Sequence, residues 1–375
     1  MKLQQINESM PELDKDAAFR WSNQKAKEWF EKNGWVIGCN YIPASAINQL
    51  EMWQPETFNI SEIDKELGWA QDLGFNSVRV FLHHLLWEQD PQGFLDRIHQ
   101  FLTVCADHDI KPMMVLFDGV WDPYPKLGKQ PDPKQNVHNS GWVQSPGYDV
   151  LKDTAQYDNL RSYVEGVVGH FKNDERILLW DLFNEPDNMN LASYKDDSYG
   201  KHKAELSLHL LKKTFRWIRA IDPVHPLTAA PWQGNWSKNS KLSELDLYMF
   251  TYSDIISFHC YEDKKGLEKR IKHLQRFRRP ILCTEYMARP YDCTFHNTLP
   301  VMKKYNVGAY NWGFVAGKTQ THCSWESWTL SEAKEPELWF HDIFHPNGEP
   351  YNKAEIEFLK EITKKEAALN HLRVA

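Results

Sequence analysis

Two stretches of the sequence each carry a glutamate at the end of an apolar run. Residues 177–186 read ILLWDLFNEP and place Asn184 and Glu185 before a proline, which cannot donate to a sheet ladder. Residues 281–286 read ILCTEY and place Glu285 near their end. Apolar runs that turn polar at the end are typical of strands buried in a parallel sheet whose carboxyl ends open into a cleft. Two such carboxylates can act as an acid/base or nucleophile pair if the fold brings them together.

The segments that would position these glutamates alternate between strand and helix. Strands are predicted at residues 35–41, 76–82, 111–117, 177–185, 225–230, 254–259, 281–285 and 307–313. Helices are predicted at residues 17–31, 63–73, 94–108, 157–171, 201–220, 267–277, 293–305 and 353–368, with Ser61 as the cap of the second. Eight alternating units predict a parallel sheet that closes into a barrel. We therefore expect an α/β protein. Its single (β/α)8 barrel would span residues 33–375, with long loops at the C-terminal face and a short N-terminal helical extension, residues 1–32, packed on it.

Polar and aromatic residues fall at the ends of the predicted strands, where a barrel of this kind carries its active site. The set comprises Arg79 on strand two, Asp118 on strand three, Asn184 and Glu185 on strand four, His259 and Tyr261 on strand six, Glu285 on strand seven and Trp312 on strand eight. With Asn-Glu-Pro on strand four and Thr-Glu-Tyr on strand seven, this order resembles the clan of retaining glycoside hydrolases that includes glycoside hydrolase family 5. The resemblance covers residues 35–312 and implies a β-glycosidase with an oligosaccharide as its substrate.

The resemblance implies a role for each glutamate. Glu185 would be the general acid/base, because a glycosidic oxygen is a poor leaving group unless it is protonated, and Glu285 would be the nucleophile. A retaining mechanism needs the two carboxyl groups roughly 5–5.5 Å apart. One must be protonated and the other ionised, so their surroundings must push the two pKa values apart. Arg79 and Tyr261 are suited to keep Glu285 ionised, by charge and by hydrogen bond.

The same resemblance implies supporting roles around this pair. Asn184 would bind the sugar 2-hydroxyl, His259 would shape the surroundings of Glu185, and Trp312 would form the floor of the −1 subsite. Structural alternatives stay open, because Arg79 could be an ion-pair partner and His259 a satisfied core histidine. Further candidates for substrate-binding or supporting roles are His84, Asp118, His138, Asn139, Trp142 and Trp232. The first two of these could equally cap loops.

The predicted loops are rich in tryptophan, of which the chain has 16. Loops after barrel strands face the cleft, where an aromatic face can stack on the apolar face of a sugar. The loop tryptophans are Trp121, Trp142, Trp232, Trp236, Trp325 and Trp328, and we expect about half of them to be packing anchors. Residues 136–142 and 317–321 could each wall one end of the cleft. Either wall would make the enzyme exo-acting or selective for short oligosaccharides.

Two features bear on which sugar is cleaved. The N-terminal residues MKLQQINE lack the apolar core of a signal peptide, so we expect a cytoplasmic protein, which a polymer cannot reach. His83, His84, Trp142 and residues 284–289 are similar to a family 5 branch that acts on the β-mannosyl-1,4-N-acetylglucosamine core of N-glycans. The favoured interpretation is an exo-acting β-mannosidase. β-Glucosidase, endo-β-1,4-glucanase and xylanase activities stay open, because the fold does not fix the substrate.

Other classes are disfavoured by composition. A net charge of −7 with both signs spread along the chain argues against a nucleic-acid partner, and no run is long enough to cross a membrane. The 6 cysteines lack metal-binding spacing, so neither a metal nor another cofactor is predicted. A non-catalytic sugar-binding barrel would lack one glutamate. A metal-dependent barrel hydrolase would draw ligands from His83, His84, Asp118 and His259, and retained activity in a chelator would reject it. The oligomeric state stays open.

Overall fold

Eight parallel strands form a nearly closed TIM barrel in the computed structural model, which describes residues 20–190, 193 and 202–373. The strands are β1 (Ile37–Asn40), β2 (Ser77–Phe81), β3 (Met113–Asp118), β4 (Leu179–Asn184), β5 (Leu227–Ala230), β6 (Ile256–His259), β7 (Ile281–Tyr286) and β8 (Gly308–Asn311). They pair in the order β5-β4-β3-β2-β1-β8-β7-β6. Every strand residue is buried, as expected for a parallel sheet covered by helices. The predicted (β/α)8 barrel is therefore confirmed.

The two strands at the ends of this order, β5 and β6, meet without a backbone ladder. The hydroxyl oxygens of Thr228 and Ser257 lie 2.7 Å apart, and the Asp254 backbone N–H donates to the Leu227 carbonyl oxygen at 2.8 Å. Side-chain and loop contacts thus link the last pair of strands, so the strand ends form a ring around a common mouth.

Twelve helices lie within the described residues. They are α1 (Asn23–Asn33), α2 (Gln49–Trp53), α3 (Ile60–Asp72), α4 (His84–Gln89), α5 (Pro91–Asp107), α6 (Tyr148–Lys152), α7 (Tyr157–His170), α8 (Lys203–Ile221), α9 (Glu244–Tyr252), α10 (Lys264–Leu274), α11 (Phe295–Lys304) and α12 (Lys353–Arg373). The sequence did not predict α2, α4, α6 or α9. Three of these are too short to show a helical period, and α9 buries residues on most of its positions, so no polar face marks it as a helix.

Four predicted helix starts are wrong by three residues or more, among them those of α5 and α10, which begin at Pro91 and Lys264 and not at residues 94 and 267. Asn59, not Ser61, caps α3, because the Asn59 side chain accepts a hydrogen bond from the Glu62 backbone N–H at 3.2 Å. Asparagine and serine are similarly good caps, so the pattern alone could not choose between them. The first helix begins at Asn23 after the cap Ser22, and the part of its predicted range before residue 20 lies outside the described residues.

Helix α1 packs at the end of the barrel where the strands begin. Its buried residues Ala26 and Phe30 form one apolar cluster with Val36, Ile255 and Leu282, which lie before or early in their strands. This end is therefore filled by packing, and the opposite end, where the strands finish, is left for chemistry. The division into an extension, residues 1–32, and a catalytic barrel, residues 33–375, stays a prediction.

Gly38 on β1 offers a direct test of the barrel packing. A Cβ at this position would lie 1.7 Å from the backbone oxygen of Ser77, so β1 and β2 would have to separate. We predict that Gly38→Ala lowers the free energy of unfolding by about 2–3 kcal/mol, measured by urea denaturation. The control is Gly169→Ala in α7, where a Cβ meets nothing within 4 Å, and there stability should stay equal or rise by up to about 1 kcal/mol. Wild-type stability of Gly38→Ala would contradict the packing described for β1.

Candidate active site

Arg79 on β2 is a fully buried cation that links four strands. Its Nε and Nη2 donate to Asp181 Oδ2 at 3.0 and 2.8 Å, and Nη2 also donates to Asn184 Oδ1 at 2.7 Å. Its Nη1 donates to Asn40 Oδ1 at 2.8 Å and to Glu285 Oε1 at 3.0 Å. A planar guanidinium presents its donors in a fixed fork. The ends of β1, β4 and β7 are therefore held at set positions around β2.

Asp181 and Asn184 both reach Arg79, although side chains three residues apart on a regular strand point to opposite faces. The register between β4 and β5 shifts between these two residues, so the strand pairing is irregular at this point. The next residue, Glu185, has a φ of +44°, which is uncommon for a residue other than glycine. The backbone conformation at this strand end is thus specialised around the glutamate.

The carboxyl groups of Glu185 and Glu285 face each other across His259. His259 Nδ1 lies 2.6 Å from Glu185 Oε1 and 3.3 Å from Glu285 Oε2. Tyr261 Oη donates to Glu285 Oε2 at 2.8 Å, and Asn188 Nδ2 donates to Glu185 Oε2 at 2.6 Å. Facing atoms of the two glutamates and the histidine all lie within 4.8 Å of one another, close to the separation of about 5–5.5 Å that a retaining glycosidase uses.

Burial brings both carboxyl groups towards titration near neutral pH. Burial raises the pKa of Glu185 to about 7, against the hydrogen bond from Asn188 and the charge of Arg79. Burial also raises the pKa of Glu285 to about 7, opposed by His259, Arg79 and the hydrogen bond from Tyr261. Burial lowers the pKa of His259 to about 4, so this ring is neutral. The buried cation and the phenol favour ionised Glu285, which leaves the shared proton on Glu185.

The proximity of Glu185, His259 and Glu285 also bears on a metal site. Within the described ranges, this is the group of histidine and carboxylate side chains whose atoms are close enough to surround an ion. His259 and Glu185 already contact each other at 2.6 Å, and Arg79 and Tyr261 donate to the two oxygens of Glu285, so we assign no metal to this group. His83 and Asp118, which the metal-dependent alternative would use, are not part of this group.

Asp118 at the end of β3 lies behind the glutamates and orients two of their neighbours. Asn184 Nδ2 donates to Asp118 Oδ1 at 2.9 Å, and Trp142 Nε1 donates to Oδ2 at 2.7 Å. Burial raises the pKa of Asp118 to about 7, and these two hydrogen bonds lower it. Because Arg79 binds the other end of the Asn184 amide, the orientation of that amide is fully determined.

A cavity of about 340 Å³ lies at the mouth of the barrel over the glutamate pair. The predicted site residues in its wall are His138, Asn139, Trp142, Asn184, Glu185, Trp232, His259, Tyr261, Glu285 and Trp312. Trp121 and Trp325 also line it, whereas Trp236 is buried against aromatic rings of the core and Trp328 stacks on Trp121 with ring centres 5.8 Å apart. The structure thus brings four of the six loop tryptophans to the cavity.

His84 is a predicted candidate that the structure leaves outside the cavity wall. It is buried, its ring stacks on that of His83 at 4.8 Å, and its Nδ1 lies 3.0 Å from Ser145 Oγ. Burial lowers the pKa of His84 to about 3, so it is neutral. His84 does not line the cavity, and neither do Arg79 and Asp118, which act on it only through residues that do.

Several site residues were not predicted. Asn40 and Asp181 bind Arg79 from within apolar strands. The one sequence signal for them is that each is a polar residue in an otherwise apolar run. Asn188 contacts Glu185 from the loop after β4, in a polar stretch that the sequence does show. Lys203, the first residue of α8, is buried, and its Nζ donates to the Gly119 carbonyl oxygen at 2.6 Å. Burial lowers the pKa of this amine to about 7, and nothing in the local sequence points to such a position.

Two close carboxyl groups, one held by an arginine and a tyrosine and the other by a histidine and an amide, suit cleavage of a glycosidic bond with retained configuration. Fold and site together therefore define a retaining β-glycoside hydrolase. The particular family follows from the sequence, because residues 43–329 match the family model for cellulase, glycosyl hydrolase family 5. The chain belongs to that family.

Solved structures share the fold at low sequence identity. An exo-β-1,4-mannosidase from Opitutaceae bacterium strain TAV5 is 19% identical with a TM-score of 0.62, over 89% of this chain and 60% of the other. A subfamily 18 member from Streptomyces cattleya, in complex with mannosyl-β-1,4-N-acetylglucosamine, is 11% identical with a TM-score of 0.56, over 88% and 81%. An endo-1,4-β-D-mannanase from Thermotoga petrophila is 15% identical with a TM-score of 0.55, over 88% and 99%. At these identities the likeness shows the fold alone.

The chain spans 60% of the length of the exo-mannosidase structure. The search of curated protein sequences gives no significant match. Among the described residues, none of the helices has the length and apolar character needed to cross a bilayer. Membership of a glycoside hydrolase family makes a carbohydrate the substrate, whereas the cytoplasmic location stays a prediction.

Tyr261→Phe tests the electrostatics of the glutamate pair. The phenol donates to Glu285 and lowers the pKa of that carboxyl, so its loss should raise the pKa. Because Glu285 must be ionised to act, the acidic limb of the kcat/KM profile should move to higher pH, and kcat/KM at its optimum should fall about tenfold or more, the effect of losing one hydrogen bond to a charged group. A profile measured on an aryl glycoside would contradict the assignment if its acidic limb did not move.

Proposed function

We propose that this protein is an exo-acting β-mannosidase that releases terminal mannose from short β-1,4-linked oligosaccharides such as mannosyl-β-1,4-N-acetylglucosamine. The observation that carries the proposal is that two loops, both of which line the cavity, are hydrogen-bonded to each other, so that together they would close one end of it. The β3 loop, residues 136–142, follows β3, and the β8 loop, residues 317–328, follows β8. An open groove would suit a polymer, whereas a closed end admits only a chain terminus.

Hydrogen bonds tie the β3 loop to the β8 loop. They run from Asn136 N to Gln320 Oε1 at 2.7 Å, from Asn139 N to Thr319 O at 2.7 Å, from His138 N to Ser327 Oγ at 3.0 Å and from Trp328 Nε1 to His138 O at 2.6 Å. Lys318 in turn pairs with Glu51 at 2.6 Å, which joins the β8 loop to the segment after β1. The wall therefore draws on three strand ends and does not depend on one loose loop.

The joined loops would stand where the non-reducing sugar binds. The leaving oxygen must reach Glu185, which Asn188 contacts at 2.6 Å, so we place the leaving sugar towards Asn188. Trp142 and Trp312, whose ring centres lie 5.8 Å apart, line the cavity together with Asn139 of the β3 loop. A terminal sugar above Trp312 would then meet the two joined loops, which would block a longer chain.

Asn139 adds a polar contact to this wall. Its side chain is buried, and within the described residues neither of its amide atoms has a hydrogen-bond partner. An unpaired buried amide is costly, and hydroxyl groups of a terminal sugar would supply both a donor and an acceptor. The names of two structural neighbours, an exo-β-1,4-mannosidase and a protein complexed with mannosyl-β-1,4-N-acetylglucosamine, support mannose as that sugar.

The chemistry proposed for the pair has two steps. Glu185 gives its proton to the glycosidic oxygen while a Glu285 oxygen attacks the anomeric carbon, so the bond to the leaving sugar breaks and a glycosyl ester forms. Glu185, now a carboxylate, then takes a proton from water, whose oxygen displaces Glu285 and restores the configuration. Arg79 and Tyr261 hold Glu285 ionised before the first step, and Asn184 and Trp312 position the sugar.

Exchange of each glutamate for glutamine tests these roles. Glu285→Gln should lose activity by about 10⁴-fold or more on every substrate, because no ester can form. Glu185→Gln should lose comparable activity on the disaccharide and retain rapid ester formation on 2,4-dinitrophenyl glycosides, whose leaving group needs no proton. Pre-steady-state release of dinitrophenol measures this step, and wild-type rates of both variants on the disaccharide would show that the pair is wrongly assigned.

A panel of β-linked disaccharides and aryl glycosides, followed by NMR, tests the choice of sugar. Mannosyl-β-1,4-N-acetylglucosamine should give β-mannose as the first product, and glucosides and xylosides should react at least about a hundredfold more slowly, a difference of about 2.7 kcal/mol. Activity on glucosides or xylosides alone would keep the mechanism and reject mannose.

Capped substrates test exo action. A methyl group on the 4-hydroxyl of the terminal mannose should abolish cleavage, because the closed wall leaves no room for it. Extension of the same substrate by one sugar at the reducing end should change kcat/KM only a few-fold. Release of mannobiose as the first product from mannotetraose, measured by chromatography, would contradict the closed end.

A further inference from the structure

Both oxygens of the Glu185 carboxyl group have a hydrogen-bond partner from the protein. His259 Nδ1 lies 2.6 Å from Oε1, and Asn188 Nδ2 lies 2.6 Å from Oε2. Asn188 also lines the cavity, where a sugar in the leaving position would come close to it. The two glutamates account for the bonds made and broken in the reaction, but they leave Asn188 without a function.

The amide of Asn188 has one orientation. Its Oδ1 accepts a hydrogen bond from the backbone N–H of Asn190 at 3.0 Å, so its nitrogen must face Glu185. A backbone N–H cannot accept, and the alternative orientation would oppose two donors. Asn188 therefore presents a donor to Glu185, and a donor favours the ionised form of a carboxyl group.

The loop that carries Asn188 is tied down independently of Glu185. The Asn188 carbonyl oxygen accepts from Lys203 Nζ and from Asn190 Nδ2, and the Pro186 carbonyl oxygen accepts from Ser207 Oγ at 2.6 Å. Lys203 and Ser207 belong to the first turns of α8. These contacts with α8 and Asn190 hold the Asn188 amide against Glu185.

We propose that Asn188 is a positioning residue that acts through Glu185, stabilising the carboxylate that forms when Glu185 gives its proton to the glycosidic oxygen. The proton moves from Glu185 to the leaving oxygen, the bond from that oxygen to the anomeric carbon breaks, and the negative charge left on Glu185 meets the Asn188 N–H. This inference rests on the acid/base role given to Glu185 under the proposed function. It does not depend on which sugar is bound.

Other charged and titratable groups also face Glu185. They are Arg79 from β2, Asp118 from β3, Asp187 from its own loop, His259 and Tyr261 from the β6 end, Glu285 from β7 and Lys203 from α8. None of these groups belongs to the Asn188 side chain, so its truncation should leave them in place. The hydrogen bond from Asn188 lowers the pKa of Glu185, so its removal should raise that pKa and make Glu185 a weaker acid.

The test compares substrates that need the proton with substrates that do not. For Asn188→Ala, kcat/KM on mannosyl-β-1,4-N-acetylglucosamine should fall about tenfold, whereas kcat/KM on 2,4-dinitrophenyl β-mannoside should stay within about twofold of wild type. Glu185 must be protonated for the first step, so the alkaline limb of the disaccharide profile should move up by about one pH unit, which corresponds to the same tenfold change.

Two control variants separate this effect from a general disturbance of the loop. Ser207→Ala removes a tether of the same loop without touching Glu185, and its alkaline limb should coincide with that of wild type. Asn235→Ala makes the same substitution at an exposed position in the loop that follows β5, away from the cavity wall, and should leave kcat/KM on both substrates unchanged. A shift of the alkaline limb in Ser207→Ala equal to that in Asn188→Ala would assign the effect to the loop and overturn the proposal.

An equal fall on both substrates, or an alkaline limb that does not move in Asn188→Ala, would also overturn the proposal. The failure of the proposed function would look different. If mannosides are not hydrolysed, the same comparison is made with the glycone that the panel identifies. If Glu185→Gln keeps full activity on the disaccharide, the acid/base assignment fails before Asn188 is tested.

Discussion

A guanidinium ion without solvent contact must be neutralised by its neighbours, and Arg79 imposes this constraint on the whole mouth of the barrel. It meets Asp181 and Glu285 at hydrogen-bond distance, and neutral amides fill its remaining donors. Removing one partner from a buried ion pair costs about 3–5 kcal/mol, so the strand ends cannot drift apart without leaving a charge unpaired. Two of these partners, Asp181 and Asn184, come from one strand, at the point where the register between β4 and β5 shifts.

This constraint also separates the two glutamates chemically. Glu285 touches the cation and the phenol of Tyr261, whereas Glu185 touches a neutral imidazole and an amide. Both carboxyl groups are buried and both have their pKa raised, but only Glu285 has a full positive charge in direct contact. Two residues of the same type can thus carry out opposite tasks at the pH where one proton is shared between them.

The barrel and the glutamate pair could be predicted because they depend on local patterns. Buried parallel strands read as apolar runs, and Glu185 and Glu285 stand where those runs end. Arg79 was visible for the same reason, but Asp181 was not, because its role depends on a register shift that no sequence pattern displays. His84 shows the converse, because a supporting role was predicted for it but it does not line the cavity.

Loop contacts account for most of what the sequence could not show. The β3 loop and the β8 loop join residues that lie about 180 positions apart, and one of these contacts, from Asn139 to Thr319, uses only backbone groups that every residue type carries. Helix α9 was not predicted because residues at most of its positions are buried, so it shows no polar face. The burial of Lys203 was not predicted because nothing distinguishes this lysine from the others in the sequence. Tertiary packing, and not local propensity, determines the loop pairing, helix α9 and the burial of Lys203.

Glu285, held ionised by Arg79, is the group proposed to attack the sugar. The most direct test of this role is to trap the glycosyl-enzyme with a 2-deoxy-2-fluoro β-glycosyl fluoride of the preferred sugar and to locate the label by peptide mass spectrometry. We expect one sugar per chain, esterified to Glu285, and no label in Glu285→Gln. A label on Glu185 or on any other residue, or labelling of Glu285→Gln equal to that of wild type, would contradict this role.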